Sequence, residues 1–563
     1  MDIGNDNSER INLSEIFRLA KPRKKGLLHL VFSRFSVIVL LILLQLAMYI
    51  FFYGWLITWL PFFSAFLVVF SVIMIIYLFN TGMDFSAKLT WMFLISVFQV
   101  PGAIFLLFTR MNVGYRKLER RERTLILQTR TAIPQSQNVL DALKKDGSGM
   151  DALARYLNRT GCFPIYNNTE VTYFPIGEDK FAAMIKALEA AEKFIFLEYF
   201  IVEEGYMWGK VLELLVAKAA QGVEVRMMYD GMCEMSLLPS NYCRLLEEKG
   251  IKAKAFSPIR PVVSSHYNYR DHRKILVIDG ETAFTGGVNL ADEYINLTER
   301  FGHWKDTAIM LKGEAAKSFT LLFLQMWNID EKKPEFSQWL EGAVSAPKNP
   351  SGYVIPYGDC PLDNEKVGET VYMDIINRSS DYVHIMTPYL ILDGELETAL
   401  KYAAGRGVDV KLILPGIPDK KAAYALAKSH YKRLIASGVK IYEYTPGFVH
   451  AKVFVSDGCK ATVGTINLDY RSLYHHFECA AYMYKTACIP EIELDFQNTL
   501  SKCRDVTPKT IKNEKISYNP NYSRISGIAY ENGYVRENSS KTDTLQSFPP
   551  NKGALLPWGS DNF

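Results

Sequence analysis

"HRKILVIDGETAFTGGVN" at 272–289 and "HAKVFVSDGCKATVGTIN" at 450–467 decide how this chain is read, because they are one pattern written twice. In each, a His is followed by Lys two residues on, by Asp five residues after the Lys, by two small residues and then by Asn. His272, Lys274, Asp279, Gly286, Gly287 and Asn289 thus answer to His450, Lys452, Asp457, Gly464, Thr465 and Asn467. On a strand the period of two puts His272 and Lys274 on one face, and His450 and Lys452 likewise, so each pair can converge on one ligand. An imidazole beside an ammonium, with an Asn donor nearby, suits a tetrahedral phosphate: a point charge, a donor, and a group that attacks or gives a proton. The small residues let a backbone approach closely. One lone His-x-Lys carries little, since His is often a packed core residue; two copies at identical spacing carry much.

Working outward, the duplication extends well upstream of both copies. "KFIFLEYFIVEEG" at 193–205 matches "DYVHIMTPYLILDG" at 381–394, "AKAAQGVEVRMMYD" at 217–230 matches "KYAAGRGVDVKLILP" at 401–415, and "RLLEEKGIKAKAFSP" at 244–258 matches "KRLIASGVKIYEYTP" at 432–446. Short runs rich in Val, Ile, Phe and Tyr follow helix-like segments ending at Gly222, Gly250, Gly407 and Gly438. That is helix C-terminus followed by buried strand, the signature of an α/β domain. A repeat separated by about 180 residues is too long for a solenoid and suits two similar units packed about a pseudo-two-fold axis.

Together the two motifs are the paired HxKxxxxD signatures of the phospholipase D superfamily, and the resemblance covers roughly residues 160–500. The stretches "HRKILVIDGETAFTGGVNLADEYIN" and "GFVHAKVFVSDGCKATVGTINLDYRSLYHHFE" are similar to the bacterial cardiolipin synthase branch, as is an apolar N-terminus ahead of the first motif. The resemblance implies two αβα sandwich repeats. It further implies attack by one His on the phosphodiester of phosphatidylglycerol, a phosphatidyl-histidine intermediate, and transfer to a second phosphatidylglycerol, giving cardiolipin and glycerol. His272 takes the nucleophile's part on this analogy, and His450 that of acid and then base. No metal or other cofactor is implied, because the paired lysines supply the charge that a divalent cation would otherwise bring. A phospholipase D could use the same residues on water.

Each motif Asp is read in two ways. The resemblance counts Asp279 and Asp457 with the active site, whereas Asp-Gly between two β-like runs is a hairpin turn and favours a structural role. The expected imidazole-orienting acids lie beyond the Asn residues: Asp306 in "HWKD" and Glu478 in "HHFE". Asn289 and Asn467 are expected to bind substrate. His266, His303, His475 and His476 have no repeat partner and read as surface or packing residues.

The rest of the chain places this chemistry at a membrane. From Phe35 to Phe79 no residue is charged, and one helix of that length would reach about 67 Å against a ~30 Å hydrocarbon core. It must fold back, with a bend expected near Gly54 to Pro61 among interfacial aromatics. Leu89 to Phe108 reads as a further span. No small-residue cleavage site follows, so a signal peptide is excluded. The predicted layout is a basic segment 1–34, an anchor 35–108 of two or three spans, a basic linker 109–160, phospholipase D-like domains at 161–345 and 346–512, and a disordered tail 513–563 rich in Asn, Ser and Gly.

Basic residues cluster at both ends of the anchor, at 18–34 and 110–123. Three full spans would put these clusters on opposite faces, so the positive-inside rule is broken at one end or one segment is re-entrant. Both clusters would attract anionic lipid. Eight cysteines without a C-x-x-C pair point to reduced thiols and a cytosol-facing catalytic part of a bacterial membrane protein. A net charge of +4 on 563 residues speaks against a nucleic-acid partner, and a relic scaffold would have lost one of the four His and Lys residues.

Overall fold

The computed structural model describes residues 43–54, 63–83, 85–110, 115–258, 269–363, 365–508 and 510. The expected basic segment 1–34, most of the expected bend and the expected tail 513–563 lie outside the described residues. The first half of the repeat forms strands β1 (Thr169–Phe174), β2 (Phe194–Tyr199), β3 (Glu224–Asp230), β4 (Lys252–Phe256), β5 (Arg270–Asp271), β6 (Lys274–Ile278), β7 (Thr282–Gly286), β8 (His303–Lys305) and β9 (Ala308–Gly313). The second forms β10 (Tyr353–Asp359), β11 (Tyr382–Met386), β12 (Leu390–Ile391), β13 (Asp409–Pro415), β14 (Lys440–Tyr444), β15 (Gly447–Val449), β16 (Val453–Ser456), β17 (Lys460–Gly464), β18 (Leu468–Asp469), β19 (His476–Tyr484) and β20 (Cys503–Asp505).

The two large sheets repeat one another. The first runs β1-β9-β7-β6-β2-β3-β4, the second β10-β19-β17-β16-β11-β13-β14-β20 with β5 added alongside β19. In each, three parallel strands are joined to an antiparallel hairpin that carries the HxK motif at its start. The four helix-ending glycines do what the pattern predicts. Gly222, Gly250, Gly407 and Gly438 have φ between 81° and 95°. The N–H after each reaches five residues back, as Val223 does to the Lys218 carbonyl and Val439 to that of Leu434, both at 3.1 Å, closing the helix so that the next strand can start.

The two halves share one core. Phe196, Ile275 and Val277 of the first sheet and Ile355, Val463 and Tyr482 of the second belong to a single buried apolar cluster, bridged by Phe319 and Phe323 of the helix Ala316–Trp327. The Phe323 ring stacks on Phe196 at 4.7 Å. On the far face of the first sheet, Trp208 and Leu212 of the helix Tyr206–Ala220 cover Ile195, Leu197 and Met227, completing an αβα sandwich.

Among the described residues, one helical segment, Ala87–Leu107, is long and apolar enough to cross a membrane; Leu43–Gly54 and Phe66–Phe79 are shorter apolar helices. Of the expected anchor of two or three full spans, the described residues thus show one candidate span, and residues 35–42 and 55–62 lie outside them. Even that segment is broken. Gln99 has φ 41° and ψ −108°, and Pro101 follows; proline removes a helical hydrogen bond and its ring meets the carbonyl four residues back. A Cβ on Gly102 would stand 2.8 Å from the Leu94 carbonyl oxygen, whereas eight residues of straight helix rise about 12 Å. The chain therefore turns sharply here, and Tyr53 donates a hydrogen bond to Gln99 Oε1 at 2.7 Å near the bend. Large apolar side chains such as Phe51, Ile73 and Phe105 are more than half exposed in these helices, as lipid-facing residues are.

Candidate active site

The strands preceding each motif reach across to the other half of the repeat. β5 pairs in parallel with β19, Arg270 against His476 and Asp271 against Phe477. One step further His272 stands against Glu478, with the His272 N–H on the Phe477 carbonyl at 2.9 Å. β15 pairs in the same way with β8, Phe448 against Trp304 and Val449 against Lys305. There, one step further, His450 stands against Asp306, its N–H on the Lys305 carbonyl at 2.7 Å. The side chains follow this register. His272 Nδ1 lies 2.9 Å from Glu478 Oε2, and His450 Nδ1 lies 2.7 Å from Asp306 Oδ2. Each imidazole is thus held by a carboxylate of the opposite half, which leaves its Nε2 for chemistry.

The carboxylates are themselves fixed. Ser472 donates to Glu478 Oε1 at 2.5 Å, and Thr465 donates to Oε2. The equivalent of Thr465 in the first half is Gly287, where a Cβ would stand 2.0 Å from Asp306 Oδ1; its lack of a side chain makes room for that carboxylate. Asp306 Oδ1 accepts the Thr307 N–H at 2.8 Å. Lys274 Nζ donates to the His272 carbonyl at 2.6 Å, and Lys452 does the same to His450.

All four motif side chains are buried, and burial sets their charge. Desolvation, followed by the neighbouring Lys274, holds His272 well below the usual imidazole value, and desolvation with Lys452 lowers His450 to about 4. Burial pushes Glu478 up, against the pull of Lys274 and of the Ser472 and Thr465 hydroxyls. Both imidazoles are neutral at pH 7. Each also feels the lysine of the other half, which places the four groups around one site.

Burial lowers Lys274 to about 8 and Lys452 to about 7. A lysine binds an anion only when protonated, so the charged pair is present below these values and is lost as pH rises through them. The expected kcat/KM toward an anionic phosphodiester therefore falls as pH rises from about 7, by roughly tenfold per unit up to about 8 and more steeply above it, where both lysines lose their protons. A profile level to pH 10 would contradict it.

The motif carboxylates do not join this group. Asp279 and Asp457 occupy the far ends of β6 and β16, each with the following Gly in a turn of positive φ. Asp279 accepts the N–H groups of Glu192, Lys193 and Phe194 at 2.7–2.9 Å, and Asp457 those of Ser380, Asp381 and Tyr382. Their catalytic placement gives way to the turn role, because every such bond tethers the start of the neighbouring strand. Asn289 ties the Ile201 N–H to the Tyr294 hydroxyl, with one amide hydrogen left over. Asn467 Oδ1 is buried without a hydrogen-bond partner.

Four residues escaped the sequence reading. His476, set aside there as packing, lies with its ring 5.2 Å from that of His272. The Tyr294 and Trp304 rings stand 5.4 Å from His450. Lys180, fully buried and lowered to about 7 by burial, feels the charge of Asp306. His272, His476 and Glu478 present ligand atoms within 4.8 Å of one another, but the two lysines that face His272 oppose a cation there.

A family profile described as "Cardiolipin synthase, PLD-like domain" matches residues 184–327 and 372–500, one segment in each half. A cardiolipin synthase of Alkalihalophilus pseudofirmus is 33% identical over 487 residues, covering 85% of this chain and 96% of its own. The chain belongs to the bacterial cardiolipin synthase family. It is a phosphatidyltransferase of the phospholipase D superfamily. Another family relative is an uncharacterized protein of Streptococcus mutans, 57% identical over 79% of this chain and 96% of its own. The crystal structure of phosphatidylserine synthase from Haemophilus influenzae shares the fold, with a TM-score of 0.51 at 14% identity, over 67% of this chain and 97% of its own.

Proposed function

We propose that this enzyme is a cardiolipin synthase that works through a phosphatidyl-histidine on His272. The observation that carries the reading is the crossed pair of contacts, His272 with Glu478 and His450 with Asp306. Each imidazole keeps its proton on Nδ1 and offers Nε2, one as nucleophile and one as proton carrier. In the first step His272 Nε2 forms a bond to the phosphorus of phosphatidylglycerol, and the bond from phosphorus to the headgroup glycerol oxygen breaks. That oxygen takes a proton from His450. The incoming phosphodiester carries the negative charge that raises His450 from its low resting value so that it arrives protonated. In the second step a hydroxyl of another phosphatidylglycerol gives its proton to His450 and attacks phosphorus, and the P–N bond breaks to restore His272. Lys274 and Lys452 hold the phosphoryl oxygens throughout.

The enzyme acts at a bacterial membrane on anionic lipid. The sharp turn at Gln99 supports the re-entrant alternative for 85–110, which would leave the basic clusters at 18–34 and 110–123 on the same, cytosolic face.

With purified enzyme in phosphatidylglycerol bilayers, glycerol and cardiolipin are expected in about equal amounts. Added glycerol should drive the reaction backwards, because one phosphodiester is exchanged for another and mass action decides. Phosphatidic acid as the main product would mean that water is the acceptor and would overturn the assignment.

A further inference from the structure

His476 stands beside His272 and has no part in the two-step scheme. The two rings lie 5.2 Å apart with planes 35° from parallel, and both turn Nδ1 to one carboxylate. His272 Nδ1 is 2.9 Å from Glu478 Oε2, and His476 Nδ1 is 3.6 Å from Oε1. The tautomer of His476 follows from its other edge. Arg471 Nε–H donates to His476 Nε2 at 3.1 Å, so the ring proton sits on Nδ1. Burial and the Arg471 charge hold the ring well below the usual imidazole value, so it stays neutral. Its Nδ1–H is buried without a hydrogen-bond partner, a costly arrangement that a small closure onto Glu478 would relieve.

The guanidinium behind His476 is exposed, and among the described residues no carboxylate pairs with it. Asp469 Oδ1 caps the short helix Tyr470–His475 by accepting the Arg471 and Ser472 N–H groups at 2.9 and 3.0 Å. That helix therefore sets Ser472 on Glu478 Oε1 and Arg471 on His476 together. The first half lacks this line of contacts. Trp304 takes the place of His476, two residues before the carboxylate, with its ring 5.4 Å from His450. Indole donates but does not accept, so no cation can be set behind it in the same way. Where the second half has Arg471, four residues after the motif Asn, the first has Glu293, turned to Arg300.

The intermediate gives this asymmetry a use. With phosphorus on Nε2 and a proton on Nδ1, the His272 ring is a cation. When the P–N bond breaks, the electron pair returns to Nε2 and a neutral imidazole leaves. If Glu478 takes the Nδ1 proton, the leaving group becomes imidazolate and transfer stalls. Burial and Asp469 push Glu478 toward taking it, and Lys274, Ser472 and Thr465 oppose them.

We propose that His476 and Arg471 are positioning residues that hold Glu478 as a carboxylate while His272 carries the phosphatidyl group, and so keep the intermediate transferable. The inference rests on the phosphatidyl-histidine reading and not on which acceptor follows. Full-length Arg471→Gln and His476→Phe are mixed with phosphatidylglycerol bilayers carrying labelled phosphate and quenched in alkali, where a P–N bond survives. Phe keeps the ring packing against His272 and Phe200. Each variant should release a burst of about one glycerol per enzyme at near the wild-type rate, then turn over roughly tenfold more slowly, with label accumulating on the protein. Arg471→Lys, which keeps a charge and a donor for His476, should stay within about threefold of wild type.

A burst slowed as much as the steady state would place the effect in the fold or the first step and overturn the proposal. So would an unchanged steady state, or an Arg471→Lys variant no better than Arg471→Gln. Label accumulating while the product is phosphatidic acid would sustain this role and overturn only the cardiolipin assignment. No label on any of these proteins would overturn the phosphatidyl-histidine and this inference with it.

Discussion

His272→Ala and His450→Ala are each expected to reduce phosphatidyl transfer to below a few per cent, a loss of at least about 10²–10⁴-fold, with the double variant no worse than the single ones. The non-additivity follows from the two-step scheme: without the nucleophile there is no intermediate to protonate, and without the proton carrier the first bond does not break. The fold should survive, because each imidazole sits at the start of its hairpin and its removal leaves the β6–β7 and β16–β17 pairings in place. A leaving group that departs without a proton separates the roles. A phosphatidyl ester of p-nitrophenol should restore the first step in His450→Ala and not in His272→Ala. Restoration in His272→Ala alone would exchange the two assignments. Substantial turnover of phosphatidylglycerol by either variant would refute a shared site.

The sequence made the duplicated sheets legible because two kinds of local signal repeat at fixed offsets. Asp-Gly demands a turn of positive φ, and Asp279-Gly280 and Asp457-Gly458 make it; a glycine after a helical stretch closes the helix, and four such glycines do. The same turn chemistry told the motif carboxylates apart from the imidazole partners. Glu478 could be found 11 residues beyond Asn467, whereas Asp306, 17 residues beyond Asn289, matched that spacing only loosely. That they serve the opposite half could not be found, because the crossing depends on β5 lying beside β19 and β15 beside β8, and those pairings are made by strands of two and three residues with no hydrophobic period to read. His476 was missed for a related reason: it has no counterpart in the first repeat, and only the β5–β19 pairing brings it to His272. The anchor shows the limit of counting apolar length. Leu89 to Phe108 is long enough to span, yet Pro101 lies inside it, and the chain turns at Gln99.

Glu478→Gln and Asp306→Asn are expected to reduce turnover by as much as about 10⁴-fold, the loss that the isosteric carboxylate-to-amide change causes in serine-protease triads, where it fixes the wrong imidazole tautomer. Glu478 faces three donors: His272 Nδ1–H and the hydroxyls of Ser472 and Thr465. An amide offers one accepting oxygen and an NH₂ group, so in Glu478→Gln at least one contact becomes donor against donor. The least costly adjustment turns the NH₂ toward His272, moves the ring proton to Nε2 and removes the lone pair that attacks phosphorus. In Asp306→Asn the oxygen can keep the Thr307 N–H, and the NH₂ then meets His450 Nδ1, so the carboxylate that raises His450 toward its protonated form is lost. Both variants should therefore stop before glycerol is released, Glu478→Gln for want of a nucleophile and Asp306→Asn for want of a proton carrier. The p-nitrophenol ester separates them: it should restore the first step in Asp306→Asn and not in Glu478→Gln. Activity within tenfold of wild type in both would show that the carboxylates only pack against the rings and would remove the crossed contacts from the mechanism.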